Sequence, residues 1–362
     1  MGFERRELGI VGTAAALVFS RVFGLSLVLP NFREHYEGLG FDVVGVGLAF
    51  GAYGLTMALM QLPAGWISDA VGRRPMLMLS STAFVVGSVS AAFATSLEML
   101  VAARLLQGLG AISSVAMALV GETVPSERRT TAMAMVGIPA GAGFLLGMAI
   151  GPALFPLVGM KGLFLLTAAI GLGAMVPVPF LPGGRPAAAT QIPRITRTIA
   201  ALALSGFVSN YALTTTLFFL PTTDWTVLLP MLLVALLLVG GLSRRIDRSG
   251  WTFGPVAAGV VVVAGAAALF VLVGGWVAYV FGGLFFTAHA VLQSALPSQV
   301  SRVAGAAGGR GHGVQNIVAY LGTFAAGPTA GALAGRPEAA LLLLIALAMA
   351  ASLVVLRARP QA

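Results

Sequence analysis

A chain of 362 residues that is 58% hydrophobic and only 9% charged cannot cover its surface with polar groups in water, since soluble domains run at about 45–50% apolar. The absence of cysteine excludes a disulfide scaffold and any thiolate metal or redox site. The formal net charge of +9 raises the question of a nucleic-acid partner, and the placement of the charges answers it.

The N-terminal MGFERREL runs straight into an apolar stretch too long for the core of a cleaved signal peptide. It reads as an uncleaved first membrane span, each span needing about 20 mostly apolar residues. Twelve spans are predicted, at 8–30, 43–66, 75–95, 97–121, 131–156, 162–181, 195–220, 225–242, 252–272, 275–297, 312–333 and 338–356. The connections sort the basic residues. Sixteen arginines, from Arg5 and Arg6 to Arg357 and Arg359, fall on alternating loops, while the opposite loops hold only Arg33, Lys161 and Arg336. Basic loops stay cytoplasmic, so both termini are expected there, in the cytoplasmic membrane of a prokaryotic cell. A basic face toward anionic lipid headgroups accounts for the +9, and no nucleic-acid partner is required.

The one sizeable linker, LPGGRPAAATQIPR at 181–194, divides the chain into an N-terminal bundle (1–181), a cytoplasmic linker (182–194) and a C-terminal bundle (195–362). The halves echo each other faintly. Leu146-Gly147 and Gly151-Pro152 in span five find counterparts in Leu321-Gly322 and Gly327-Pro328 of span eleven. The expected fold is an all-α polytopic membrane protein with twelve transmembrane helices in two six-helix pseudo-symmetric bundles, an architecture used by transporters.

Between spans two and three, GWISDAVGRRP (65–75) sets Asp69, Arg73 and Arg74 around two glycines, Gly65 and Gly72. A topology-setting basic loop would explain the arginines but neither Asp69 nor the glycine spacing. The glycines permit close helix approach and a tight turn. Asp69 suits the positive end of a helix, and Arg73 suits an acid closing span four, for which Glu122 is the candidate. The stretch resembles motif A of the major facilitator superfamily, G-x-x-x-D-x-x-G-R-[RK]. ARLLQGLGA (103–111), with Arg104, is similar to motif B. GMAIGPAL (147–154), with Gly147, Gly151 and Pro152, resembles the helix-packing core of motif C, although Phe155-Pro156 stand where the motif trails Gly-Gly. FSRVFGLSLVLP (19–30), AYGLTMALMQLP (52–63) and AVLQSALPS (290–298) look like the corresponding segments of the YajR-like drug:proton antiporter branch. The resemblance implies two bundles that rock about a central site. It also implies that Gly65, Asp69, Gly72, Arg73, Arg74 and Glu122 form a conformational lock.

Ionisable groups inside a span are functional candidates. The spans hold Arg21 and Arg104, and no Asp or Glu near the middle of any of them. Each arginine either bonds helix carbonyls or serves coupling and substrate contact. By resemblance an acid occupies the position of Gln293, where this chain has an amide that does not titrate. His289 lies one turn earlier on the same helical face and, with an ordinary pKa near ~6.5, is the candidate replacement; the alternative is a satisfied packing residue. Tyr53, Met57 and Gln61, then Asn210 with Thr214, then Asn316 with Tyr320, form stripes that should face a cavity or a neighbouring helix rather than lipid. The function expected is proton-coupled efflux of amphipathic small molecules by rocker-switch alternating access. The alternative is a carrier for a small organic anion bound by Arg21 and Arg104. No enzyme is expected: three widely spaced histidines offer no metal or haem pair, and no P-loop is present. The expected partners are a small-molecule substrate, protons and membrane lipids, with no cofactor or metal, around a monomer.

Overall fold

A helix closes its backbone hydrogen bonds within itself, the condition that lipid imposes on any spanning segment. In the computed structural model every regular element among the described residues is helical; these are residues 3–109, 112–181, 196–220, 237–238, 253–273, 276–304 and 308–358. The helices are α1 (Arg5–Gly38), α2 (Val43–Val71), α3 (Arg73–Ala92), α4 (Leu97–Gly108), α5 (Ile112–Thr123), α6 (Ser126–Met175), α7 (Arg197–Phe219), α8 (Phe253–Leu272), α9 (Trp276–Ala304), α10 (Gly308–Ala332) and α11 (Pro337–Arg357), with a 3-10 turn at Val178–Phe180. The expected eighth span, 225–242, falls almost wholly outside the described residues, and the linker 182–194 lies outside them altogether.

Nine helical stretches among the described residues are long and apolar enough to cross a membrane. One of them, Thr131–Phe180, has 50 residues, about 75 Å at ~1.5 Å per residue, more than twice a hydrocarbon core of roughly 30 Å. It breaks at Gly159, whose φ of 65° and ψ of −178° interrupt the helix between the expected fifth and sixth spans. The left-handed φ at that position favours glycine. Gly308–Ala332 is not apolar enough to count among the nine. α1 overruns the expected end at residue 30. Pro30 is taken inside the helix, and the extra turns carry His35 and an Arg33–Glu37 ion pair at 2.7 Å.

The contacts divide the chain into two units, Met1–Gly38 with Leu59–Thr190 and Leu39–Ala58 with Gln191–Ala362. A cut at the linker would place all of α2 in the first unit, but its first half goes with the second. Gly51 and Gly54 explain the assignment: a Cβ there would lie 2.8 Å from Phe324 O and 2.9 Å from Tyr320 O of α10.

In the first unit α1 lies along α6, and α3 packs on α4 and α6. Small residues set the first of these contacts, as they do where helices meet without water to drive them together. A Cβ at Gly147 would strike Ser26 and lie 2.6 Å from Phe23 O, and one at Gly151 would strike Leu27 O. In the second unit α7 packs on α10, and α8 on α9 and α11. Gly322 of α10 admits the backbone of Phe207, and Tyr211 of α7 is hydrogen-bonded to Thr329 at 2.8 Å.

Candidate functional site

The charged hairpin is built on one turn. Gly72, with φ of 98°, reverses the chain between α2 and α3, so Arg73 becomes the first residue of α3. The residue is buried at 7% exposure. Nη2 lies 2.5 Å from Asp69 Oδ1 at the end of α2 and 2.5 Å from Glu122 Oε1 at the end of α5. Nε donates to the same Glu122 oxygen at 3.1 Å, and Nη1 donates to Ser68 Oγ. One guanidinium thus ties the ends of three helices, which is what a planar five-donor fork does better than an ammonium. Ser68, Asp69 and Glu122 all lie in the first unit. Asp69 sits where Arg73 and the N-terminus of α3 coincide, so the ion pair and the helix dipole act in the same direction. Arg74 is exposed. Gly65 departs from expectation: it sits within α2, and no atom lies within 4 Å of the Cβ it lacks, so no close approach in this structure requires a glycine there.

A second ion pair was not foreseen from the sequence. Arg128 Nη1 at the start of α6 meets Glu7 Oε2 of α1 at 2.9 Å, and Glu7 is buried at 6% exposure. In the sequence both read as ordinary loop charges, and nothing local pairs them.

Arg21 and Arg104 are both fully enclosed in the first unit. Arg104 Nη1 donates to Gln107 Oε1 at 2.8 Å, and Gln107 Nε2 donates to Ser88 Oγ of α3 at 2.9 Å. Arg21 Nη2 points at the carbonyl oxygens of Gln107 and Gly108, each 3.4 Å away. The guanidinium carbons lie 5.9 Å from the Phe84 ring for Arg21 and 5.4 Å from the Phe32 ring for Arg104. Gln107, which sequence reasoning passed over, therefore serves both arginines. Beside Phe32, the side-chain oxygen of the buried Asn31 meets no hydrogen-bond partner among the described residues.

In the second unit α7 and α9 bring four polar side chains together. His289 Nδ1 lies 2.9 Å from Ser209 Oγ, and its Nε2 lies 3.4 Å from Gln293 Nε2. Gln293 Nε2 also donates to Asn210 Oδ1. His289 and Asn210 are buried at 8% and 9% exposure, and the Phe285 ring stands 6.2 Å from the imidazole. Residues from two of the expected sets, the coupling pair and a polar stripe, thus belong to one hydrogen-bonded group that also includes Ser209. The other stripes are carried by α2 and α10. Met57 is buried and Tyr53 half-buried on the part of α2 in the second unit, Gln61 is buried on the part in the first, and Asn316 and Tyr320 are half-buried on α10. Gln315, beside Asn316, is 2% exposed, and its side-chain oxygen meets no partner among the described residues.

The model of the Major Facilitator Superfamily matches residues 14–328. The chain is 37% identical to the inner membrane transport protein YajR of Escherichia coli strain K12 over 166 residues, 46% of this chain and 36% of that protein. It is 30% identical to a multidrug resistance protein B homolog of Mycobacterium tuberculosis over 191 residues, 51% of this chain and 35% of that protein. The match thus spans little more than a third of either relative. Among solved structures, the POT family transporter PepTSo superposes with a TM-score of 0.79 at 13% identity, covering 99% of this chain and 98% of that one.

Proposed function

The chain belongs to the Major Facilitator Superfamily, and within that family we propose that it is a proton-coupled exporter of amphipathic small molecules. The observation that carries the reading is the buried imidazole of His289, held from two helices by Ser209 and Gln293. Imidazole is the side chain whose unperturbed pKa, near ~6.5, lies closest to physiological pH. The names of two relatives, an inner membrane transport protein and a multidrug resistance homolog, support the same reading. In it, the carrier opens to each side of the membrane in turn, and Tyr53, Met57, Gln61, Asn210, Asn316 and Tyr320 meet the substrate, in a monomer surrounded by lipid. The group of Asp69, Arg73 and Glu122 holds one of the two states. The small-anion alternative has less support, because the guanidinium groups of Arg21 and Arg104 are already engaged with Gln107 and helix carbonyls.

The test is dye accumulation in vesicles reconstituted with the purified carrier. With an acidic lumen, a fluorescent amphipathic dye should accumulate above the level in empty vesicles, and a protonophore should abolish the excess. Uptake that ignores the gradient removes proton coupling and brings the anion carrier forward.

The arginine distribution also supports cytoplasmic termini and a cytoplasmic linker. A cysteine introduced in 182–194 is expected to resist a membrane-impermeant maleimide in intact cells and to react after lysis. Labelling of intact cells would reverse the topology.

A further inference from the structure

The hydrogen bonds around His289 have a direction. An amide nitrogen donates and has no lone pair to accept with. Gln293 Nε2 faces both Asn210 Oδ1 and His289 Nε2, so it presents N–H to each. His289 Nε2 therefore carries a lone pair, the imidazole is neutral, and its single proton sits on Nδ1, donated to Ser209 Oγ at 2.9 Å.

A second proton on the ring would go to Nε2 and point at the N–H of Gln293, setting two donors against each other. A half-turn of the Gln293 amide relieves this by presenting Oε1 to the imidazolium. Oε1 then confronts Asn210 Oδ1, two acceptors face to face, and a half-turn of Asn210 restores the bond with Nδ2 donating. The two amides reverse together. The far end of Asn210 changes as well: it presents Nδ2–H while His289 is neutral and Oδ1 once His289 is charged.

We propose that Asn210 is a ligand-contacting specificity residue whose hydrogen-bonding sense is set through Gln293 by the protonation of His289. Resting on the reading of His289 as the proton carrier, this names a substrate class: neutral or anionic compounds bearing a carbonyl, carboxylate or ether oxygen. Such a compound accepts from Asn210 when the histidine is neutral and loses that donor when a proton arrives. Proton and substrate then exclude each other, as exchange across a membrane requires. The same amide arrangement explains how a glutamine occupies this position: it transmits the charge state without titrating.

Among the described residues, few other titratable groups lie on α9 and the helices packed against it. Among the described residues the imidazole has Ser209 and Gln293 as hydrogen-bonding partners. Of the helices packed against α9, α7 carries Arg197 at its first residue and Tyr211, whose hydroxyl is bonded to Thr329; α8 carries none; α10 carries Arg310, His312 and Tyr320. α9 itself adds Tyr279 and Arg302.

The chain has three histidines, and its asparagines are Asn31, Asn210 and Asn316, so selective 15N labelling of the full-length carrier in lipid nanodiscs gives few signals. Those of His289 and Asn210 are assigned by their loss in His289→Gln and Asn210→Leu. At alkaline pH His289 should show the Nδ1–H tautomer. As pH falls its ring signals should move to the doubly protonated form, and the Asn210 side-chain amide should shift with the same midpoint. In Gln293→Met the histidine should still titrate while the Asn210 signal stays still. An Asn210 amide that ignores the histidine in the wild type, or follows it equally well in Gln293→Met, overturns the assignment, as does a His289 that never takes a second proton. Because the readout is spectroscopic, a relay that titrates in a carrier indifferent to pH gradients would condemn the exporter reading alone.

Discussion

Arg73→Ala is expected to slow transport about tenfold or more in reconstituted vesicles while the protein still inserts. Asp69 and Glu122 share one guanidinium nitrogen at 2.5 Å each, so its removal leaves two carboxylates facing each other without a cation. Breaking a buried pair by deleting one partner costs about 3–5 kcal/mol, and the figure is smaller here because the Glu122 side chain is 37% exposed. A state favoured by 1–3 kcal/mol of such coupling changes population by roughly 5–150-fold when the coupling is lost, which is where the tenfold lies. Arg73→Lys should recover only part of the rate, since one ammonium cannot reproduce contacts with Ser68, Asp69 and Glu122 at once. Asp69→Asn should be the mildest of the three, because Arg73 keeps Glu122. Initial rates at matched protein content decide the matter, and wild-type rates in Arg73→Ala would remove the lock.

The second large effect is expected at His289. In His289→Gln the imidazole is replaced by a group that does not titrate, while Ser209 and Gln293 keep a polar neighbour. Accumulation driven by a pH gradient should fall to the level of empty vesicles, and downhill exchange of the same dye should persist at a reduced rate. Gln293→Glu in that background returns a titratable group one turn away on the same face of α9 and should restore a response to the gradient. Full accumulation in the single variant would mean that the proton travels elsewhere.

Most of the helical frame was legible because lipid makes length and apolarity nearly sufficient. It failed where a proline and a run of charge imitated an ending: α1 continues through Pro30 to Gly38, since a spanning helix tolerates proline once its neighbours satisfy the freed carbonyl. In the hairpin, Gly72 and Arg73 announced themselves through spacing, whereas Ser68 fell on a position where the pattern accepts any residue. Gly65 matched the pattern and faces open space. The pairing of Asn210 with Gln293 spans 83 positions. Each residue was visible as a polar point on an apolar helix, but one sequence holds nothing to join them. Glu7 and Arg128 went unpaired for the same reason.

The modest apolarity of Gly308–Ala332 bears on how the protein is made. A segment with so many glycines, a histidine, Gln315 and Asn316 has little drive of its own to leave the insertion machinery for the bilayer. Pro337–Arg357, next in synthesis, has ample drive, with a mean hydropathy of 2.9 over its most apolar window. Glycines that make residues 308–332 reluctant to face lipid also let them dock: Gly322 admits the backbone of α7, and Gly327 that of Gly47 and Gly51 on α2. Both docking partners emerge from the ribosome first. Entry of residues 308–332 into the membrane is therefore expected to depend on docking to α2 and α7 more than on their own apolarity.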